Sequence, residues 1–291
     1  PFLSRGGKLV NRLGEDLFGL HFPYKKSEQV GRAEILRMVE QEIFDNKGPI
    51  YLDCTHFSEV TWQEFEGSQG TTTLEKLTEA GCDYRTEKIE VIPAAHSVLA
   101  GLEIDTNAQT TIPGVFAAGE NATGIHGAGR LSGNGLTACA VMGLTCGKNA
   151  SGFAKNIRRQ CKSVMAQKTV SFEQLKESLN IFTGQSQASN VNDEIGAFID
   201  RVKNIVGNNL GIIRNELSLT EGKRQLSNLW LEIKDLDEQN KDVFELKQMA
   251  RLANLMIEAA FKRTESRGVQ FRSDFDKPDD SWVKAQTYHK L

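Results

Sequence analysis

The sequence predicts a mixed α/β region followed by a helical region, and three observations favour this fold class. Eleven of the 26 glycines lie between Gly101 and Gly152, where short apolar stretches alternate with tight turns. Residues 165–270 are poor in glycine and carry apolar side chains at helical spacing. Residues 1–90 have a mixed composition with short strand patterns and one regular helix pattern. A chain of 291 residues is long enough to bury a core in each region.

The overall composition excludes several classes of protein. A formal net charge of −3 provides no basic surface of the kind that nucleic-acid-binding proteins need. No apolar run approaches the ~20 residues of a membrane span, and no signal-peptide pattern is present. The five cysteines form no CxxC pair, which argues against a zinc ribbon and a secreted disulfide framework. We therefore expect a cytoplasmic protein, at most peripheral on the cytoplasmic face of the membrane, with no metal site.

The elements of the first region follow from short apolar runs and their boundaries. Ser27 is a candidate cap for a helix whose apolar residues recur at helical spacing until Gly48-Pro49. A second helix is predicted to end at Gly81. Strands are predicted at residues 9–11, 50–52 and 88–93, and the second helix at residues 73–80.

The middle region is predicted to alternate strands and turns before one helix. Pro113-Gly114 is typical of a turn, because proline fixes φ and glycine permits positive φ. The predicted strands are residues 102–105 and 115–118, followed by a glycine loop at 124–135 and a small-residue helix at 134–149.

The last region carries clear helix signals. Residues 171–174 and 242–245 both have the form of a capping box. The predicted helices are residues 172–180, 193–206, 221–237 and 243–266. Their apolar stripes are typical of a helical bundle that supplies stability rather than chemistry.

Residues 115–149 have the form of a strand, a glycine-rich loop and a helix, which is the first candidate site. The amino end of such a helix presents unpaired N–H groups and favours an anionic group, either a phosphate or the anionic edge of a reduced flavin. Glu120, at the predicted strand end, could accept hydrogen bonds from ribose or ribitol hydroxyls. The alternative is a glycine turn that only allows helix and strand to pack, and no GxGxxG motif follows a strand here.

A second candidate site is a group of cationic side chains. His96 follows a predicted strand, His126 and Arg130 lie in the glycine loop, and Arg32 lies on the first helix. Two arginines and a histidine together would clamp a dianion, because guanidinium binds carboxylate in a bidentate manner. Taken singly, each has an ordinary interpretation as a solvated or satisfied side chain, and sequence spacing alone does not bring them together.

At these residues the chain resembles the succinate dehydrogenase/fumarate reductase flavoprotein family, which also includes L-aspartate oxidase. Residues 91–96 (VIPAAH) resemble the family's strand and substrate histidine, and residues 111–120 resemble the strand that ends in a glutamate contacting FAD. Residues 124–136 resemble the family's HGANRL…NSL loop. Weaker matches extend the resemblance over nearly the whole chain, at residues 7–15, 29–37, 51–53 and 265–275.

The resemblance implies roles for individual residues. His96 and Arg130 would hold the carboxylates of a C4 dicarboxylate over the flavin, and Arg32 would take part in proton delivery. The implied FAD contacts are Glu120, Gly135, Leu136 and His126.

Several residues depart from the family pattern. Gly129 stands where relatives usually have Asn, and Gly135 where they usually have Ser. Ala100 replaces the first of two glycines, and Asp16-Leu17 replaces Arg-Phe. Loss of the Asn and Ser side chains would loosen the loop or shift the substrate.

The family's GxGxxG phosphate loop has no counterpart in these residues, so we expect the chain to be part of a larger flavoenzyme and inactive alone. The expected division is residues 1–90 as part of a substrate-capping domain and 91–152 as the returning strands and the glycine loop and helix of a Rossmann-like FAD-binding domain. Residues 160–270 would form a helical C-terminal domain and 271–291 a tail.

Three functional hypotheses follow from the resemblance and from this expected division. The first is an FAD-dependent fumarate reductase or succinate dehydrogenase in electron transport, whose reductase branch implies an iron–sulfur partner subunit. The second is L-aspartate oxidase, in which the same residues would hold aspartate. The third is a catalytically inactive fragment with a structural role only.

Overall fold

The computed structural model describes residues 2–67, 71–131, 133–160 and 189–287. The chain divides into two compact units, Pro1–His96 and Ser97–Leu291. The predicted helix at 172–180 and its capping box lie outside the described residues.

The first unit contains a three-stranded antiparallel sheet. The strands are β1 (Lys8–Val10), β2 (Ile50–Asp53) and β3 (Ile89–Val91), in the order β1-β2-β3. In the register, Leu52 of β2 lies opposite both Leu9 of β1 and Ile89 of β3. All three predicted strands of this region are therefore confirmed, each within a residue or two of its predicted bounds.

Four helices accompany this sheet: α1 (Leu17–His21), α2 (Arg32–Phe44), α3 (Glu59–Phe65) and α4 (Thr71–Glu79). The prediction that the helix begins at Ser27 is wrong, because residues Ser27–Gln29 form a separate 3-10 turn. Helix α2 begins after Gly31, whose N–H donates to the carboxylate of Glu34 at 2.8 Å. The two short helices α1 and α3 were not expected from the sequence.

Apolar side chains from the helices and the sheet form the core of the first unit. Its fully buried members include Leu17 and Ile50, and Trp62 and Phe65 of α3 pack edge to face within it. The remaining buried residues of this core are Leu9, Phe18, Val30, Met38, Val39, Leu52, Cys54 and Leu74. The short helix α3 therefore owes its place to two aromatic anchors rather than to helical periodicity.

The second unit begins with an irregular segment and one long helix, α5 (Asn134–Gln160). The predicted strands at 102–105 and 115–118 are wrong, since only isolated bridges occur there, Leu102 with Ala122 and Gln109 with Phe116. A 3-10 turn spans Gly119–Asn121. Residues 102–105 and 115–118 therefore carry isolated backbone pairs instead of forming the two predicted strands.

Three helices with apolar stripes form a helical core toward the end of the chain. They are α6 (Ser189–Asn209), α7 (Glu216–Ile233) and α8 (Lys241–Lys262). Their buried side chains include Ile195, Val202, Ile205, Leu219, Leu226, Leu229, Ile233, Leu246, Ala250 and Ile257. The predicted bundle is confirmed for these three helices.

The chain after α8 is held by buried polar residues. A two-residue parallel pairing joins β4 (Ile213–Arg214) to β5 (Phe271–Arg272), and a 3-10 turn follows at Asp280–Trp282. Arg272 is 1% exposed and Glu265 is 0% exposed. Arg272 donates from Nη1 to the carbonyls of Ala260 and Phe261, which satisfies the carboxyl end of α8.

The carboxylate of Glu265 accepts hydrogen bonds from several donors. Burial by itself raises the pKa of Glu265, and the hydrogen bonds from Arg267 and from the Asp279 N–H outweigh this effect. With the further hydrogen bond from Arg263, the pKa falls from 4.5 to about 2. The folded state therefore favours the ionised carboxylate.

A pH dependence of stability follows from Glu265. Because its folded pKa of about 2 lies below the unfolded value, its stabilisation is complete above pH 4.5 and disappears as the pH falls toward 2. We expect Glu265→Gln to be less stable at pH 6 and to lose less of its remaining stability between pH 5 and 2, measured by urea unfolding. Glu245→Gln, at an exposed position on α8, is the control. Its free energy of unfolding should change with pH in the same way as that of the wild type. If the stability of Glu265→Gln fell between pH 5 and 2 as much as that of the wild type, Glu265 would not be the source of the pH dependence.

A helix that spans a membrane is both long and apolar. Among the described residues, no helix combines these two properties.

Candidate functional site

A tight turn leads into the candidate site of the second unit. Gly119 has a φ of 74°, and a Cβ at this position would lie 3.3 Å from Sγ of Cys139 on α5. The turn Gly119–Asn121 therefore packs closely beside the helix, and glycine permits both the backbone conformation and the short distance.

Glu120 lies in this turn with an exposed side chain. Its Oε1 accepts a hydrogen bond from the N–H of Val98 at 2.8 Å. Within the part of the chain that the structure describes, Oε2 has no hydrogen-bond partner. The carboxylate is thus oriented by one backbone group and keeps an oxygen for a ligand hydroxyl.

The segment after His96 is joined to the same turn by backbone contacts. Leu102 N–H donates to Asn121 O at 2.8 Å, and Thr123 N–H donates to Leu102 O at 3.0 Å. A Cβ at Gly101 would overlap the carbonyl of Asn121 and lie 2.8 Å from the nitrogen of Ala122. Glycine at 101 is therefore required for this close approach.

Changing Gly101 to alanine is expected to separate these two segments. The clash involves backbone atoms that cannot turn aside, so we expect a loss of about 1–3 kcal/mol in the free energy of unfolding. Urea unfolding of the second unit is the measurement, with Gly196→Ala as control, because a Cβ at Gly196 on α6 meets nothing within 4 Å. Equal stability of the two variants would contradict the requirement for glycine at position 101.

Arg130 lies against the first turn of α5. A Cβ at Gly135 would lie 3.1 Å from Nη1 and 3.3 Å from Cζ of Arg130, so the guanidinium occupies the space that a side chain at 135 would take. Nη1 of Arg130 is also 3.5 Å from the carbonyl of Leu131. The structure thus brings together two residues that the sequence placed in the same site.

The electrostatic environment of Arg130 favours an anion. A guanidinium at the amino end of a helix meets the positive end of the helix dipole, which is unfavourable unless a negative group lies between them. Among the described residues no carboxylate forms an ion pair with Arg130, whereas Arg201 and Arg272 each have one such partner and Arg85 has two. The site therefore has unused capacity for a carboxylate or phosphate.

Two exposed leucines lie near the start of α5 in the sequence, one before the helix and one in its first turn. Leu131 is 73% exposed and Leu136 is 85% exposed. His126 is half-buried in the same loop. A flat group with an apolar face and an anionic edge would cover the leucines and meet the cationic helix end.

The remaining candidate residues lie in the first unit. Arg32 is the first residue of α2 and is exposed, and no carboxylate partner for it occurs among the described residues. His96 follows β3 and is exposed. That Arg32 and His96 converge with Arg130 on one ligand stays a prediction.

Two motifs of the first unit serve local structure. Asn11 is buried, and its Oδ1 accepts from the N–H groups of Leu13 and Glu15 while its Nδ2 donates to Glu42 at 2.9 Å. Asp16 caps α1 by accepting from the N–H of Phe18. The glycine–asparagine motif at 7–15 therefore fixes a turn, and Asp16 in place of the usual Arg acts as a helix cap.

Other polar side chains of the first unit have local roles. Nε2 of His56 lies 2.9 Å from the carbonyl of Gly6, which gives this histidine a structural contact. Within the described ranges of the whole chain, no group of three or more His, Cys, Asp and Glu side chains could hold a metal ion.

Comparison with known protein families gives two matches. Residues 2–136 match the family described as FAD binding domain. Residues 199–290 match the family described as Fumarate reductase flavoprotein C-term. The first match contains every candidate site residue, and the second contains the second half of α6, all of α7 and α8, and the residues after them.

Individual relatives agree with these matches. A fumarate reductase (CoM/CoB) subunit of Methanothermobacter marburgensis is 30% identical over 97% of this chain and 51% of its own length. L-aspartate oxidase 1 of Ralstonia nicotianae is 28% identical over 94% of this chain and 48% of its own. The fold resembles that of an E. coli quinol fumarate reductase, with a TM-score of 0.74 and 23% identity over 97% of this chain and 52% of that one.

These matches place the chain in a family of FAD-dependent oxidoreductases. The chain belongs to the succinate dehydrogenase/fumarate reductase flavoprotein family, and its cofactor is FAD. It spans about half the length of the curated relatives it matches.

Proposed function

We propose that the protein containing this chain interconverts fumarate and succinate, or a similar C4 dicarboxylate. The observation that carries the proposal is the guanidinium of Arg130, which lies against the first turn of α5 without a carboxylate partner among the described residues. A dicarboxylate supplies the negative charge that this arrangement lacks.

The residues of the second unit fit FAD. The free oxygen of Glu120 suits a ribose or ribitol hydroxyl, and the exposed side chain of Leu136 suits the face of a flat ring. The backbone at Gly135 and the ring of His126 complete the proposed contacts. When bound, FAD accepts or supplies a hydride at its N5 atom.

Substrate binding is assigned to two cationic groups. His96 and Arg130 would each hold one carboxylate, and together they would fix the double bond of fumarate relative to the flavin. Positive charge at both carboxylates also stabilises the negative charge that develops on the carbon that has yet to receive a proton. Binding and rate acceleration thus use the same residues.

Proton delivery is assigned to Arg32. Hydride addition to one alkene carbon requires a proton at the other, and the exposed guanidinium of Arg32 at the start of α2 is the proposed donor. The high pKa of arginine makes it a weak acid, so Arg32 acts within a relay that restores its proton at once rather than by free titration.

L-aspartate oxidase is the second candidate function. It is favoured by the 28% identity to the enzyme of that name from Ralstonia nicotianae, which extends over 94% of this chain. Aspartate carries the same two carboxylates, so Arg130 and His96 would bind it in the same way. Its amino group is the feature that distinguishes it from succinate.

The reductase function implies a partner and a location. The relative from Methanothermobacter marburgensis is named as one subunit of its enzyme, which supports an assembly with at least one further chain. We propose that this further chain is an iron–sulfur protein, because electrons must leave or reach the flavin, and we propose a cytoplasmic location.

The two candidate functions differ in the molecule that reduces the flavin. The oxidised FAD-loaded protein is mixed without oxygen with succinate or with aspartate, and the flavin absorbance is followed. We expect succinate to bleach the flavin and aspartate to leave it oxidised. Bleaching by aspartate alone would assign the oxidase function, and no bleaching by either would overturn both.

A further inference from the structure

A turn near the end of the chain touches the glycine loop that carries Arg130. The N–H of Val269 donates to the carbonyl of Ala128 at 2.9 Å. Gly268 has a φ of 60°, and a Cβ there would overlap the Ala128 carbonyl oxygen and lie 2.8 Å from its carbon. Glycine at 268 therefore allows two backbones to approach more closely than any other residue would.

The turn itself is closed by two backbone hydrogen bonds. Arg267 N–H donates to Gln270 O at 2.8 Å, and Gln270 N–H donates to Arg267 O at 3.0 Å. The side-chain oxygen of Gln270 also accepts from Nη1 of Arg214 at 3.0 Å. The turn is thereby joined to the segment that precedes α7.

Buried polar groups fix the chain on either side of the turn. Oγ of Ser266 accepts from the N–H of Arg272 at 2.8 Å and lies 2.7 Å from the carbonyl of Phe275. The carboxylate of Glu265 binds the guanidinium of Arg267 through both oxygens. Moving the turn would break the hydrogen bonds of these buried groups and leave them unsatisfied, which is unfavourable.

The glycine loop has few constraints of its own. Glycines at 124, 127 and 129 surround Ala128, and Gly124 and Gly127 have positive φ values of 103° and 56°. Glycine adds backbone freedom, so this loop needs an external contact to hold one conformation. In the sequence Ala128 lies two residues from both His126 and Arg130. Its contact with the turn therefore restricts the position of the backbone at both of these residues.

We propose that Gly268 and Val269 are positioning residues for Arg130, and that they set the affinity of the site for a dicarboxylate. The inference rests on the proposed function for its ligand. Both residues act through Ala128. A displacement of about 1 Å at a binding group is enough to lower catalytic efficiency about 10²-fold, so a small shift of this loop has a measurable effect.

The first test is Gly268→Ala in the FAD-loaded protein. Malonate, a C3 dicarboxylate without a double bond, is titrated while the flavin spectrum is followed. We expect its Kd to rise about tenfold or more, with FAD retained and the helical core still folded under the conditions of the titration. The control is Gly207→Ala on α6, where a Cβ meets nothing within 4 Å and the Kd should stay at the wild-type value.

A second pair of variants separates the effect of the hydrogen bond from Val269 on binding from the effect of backbone strain at position 268. Val269→Pro removes the N–H that reaches Ala128, whereas Val269→Ala keeps it. We expect weaker malonate binding for the proline variant and unchanged binding for the alanine variant. Equal affinities for wild type, Gly268→Ala and Val269→Pro would overturn the inference.

Amide hydrogen exchange of the 291-residue chain tests the contact without any ligand. In Gly268→Ala, peptides covering residues 124–131 should exchange faster, while those of α7 and α8 should not change. Unchanged exchange at 124–131 would overturn the inference even if malonate binds. If the wild-type protein binds no dicarboxylate, the proposed function fails, and faster exchange would still support the positioning contact.

Discussion

Replacing Arg272 with alanine is expected to lower the free energy of unfolding of the second unit by roughly 3–5 kcal/mol. The residue is 1% exposed, and its Nε and Nη2 donate to the carboxylate of Asp274, each at 2.7 Å. Its Nη1 donates to the carbonyls of Ala260 and Phe261 at the end of α8, and the variant would remove this donor from both. Urea unfolding at neutral pH measures the loss.

An exposed arginine provides the control for this prediction. Arg251 on α8 forms an ion pair with Glu238 at 3.2 Å, and both side chains are almost half exposed. Exposed pairs contribute about 0–1 kcal/mol, so Arg251→Ala should remain close to wild type. Losses of equal size for Arg251→Ala and Arg272→Ala would contradict the structural role of Arg272.

Replacing Arg130 with alanine is expected to lower kcat/KM for fumarate about 10²–10³-fold without loss of stability. The guanidinium has no ion-pair partner among the described residues, so its removal leaves no buried charge behind. Arg130→Lys keeps the charge but loses the planar fork, and it should fall between alanine and wild type. Steady-state oxidation of a reduced viologen by fumarate measures kcat/KM.

The control for Arg130 is Arg224→Ala on α7. Arg224 is exposed and pairs with Glu221 one helical turn away, so its loss should leave the activity unchanged. Wild-type kcat/KM in Arg130→Ala would remove this residue from the site, and unfolding of that variant would show that its role is structural.

The presence of helices in the second unit was predicted more accurately than the residues at which these helices begin. The apolar stripe of α8 is visible in the sequence, but the predicted cap at Asp242 is wrong by two residues. Asn240 caps the helix instead, and its Oδ1 accepts from the N–H groups of Asp242 and Val243. Both residues have the side chain of a good cap, and only the backbone conformation distinguishes them.

The strands predicted in the middle region failed for a different reason. Residues 115–118 have the composition of a strand, yet a strand needs a neighbour that offers several successive backbone groups. Phe116 pairs only with Gln109, across a tight turn. The composition of a short apolar run does not indicate whether the fold places a neighbouring strand beside it.

The candidate site was predictable where it lies within one stretch of sequence. Glu120, Arg130 and Gly135 were identified from the glycine loop and its resemblance to a family, and the contact between Arg130 and Gly135 spans five residues. The contact of Gly268 with Ala128 was not predictable, because it joins distant parts of the chain. The positive φ of Gly268 is the only local sign, and it requires coordinates to be recognised.

We propose that the protein containing this chain reduces fumarate to succinate at the expense of its reduced flavin. The most direct measurement is a single turnover without oxygen: the FAD-loaded protein is reduced with dithionite, excess reductant is removed, and one equivalent of fumarate is added. We expect the flavin to be reoxidised with formation of one succinate per flavin, and Arg130→Ala to be reoxidised far more slowly. A flavin that stays reduced in the wild-type protein, with fumarate recovered unchanged, would contradict the proposed function.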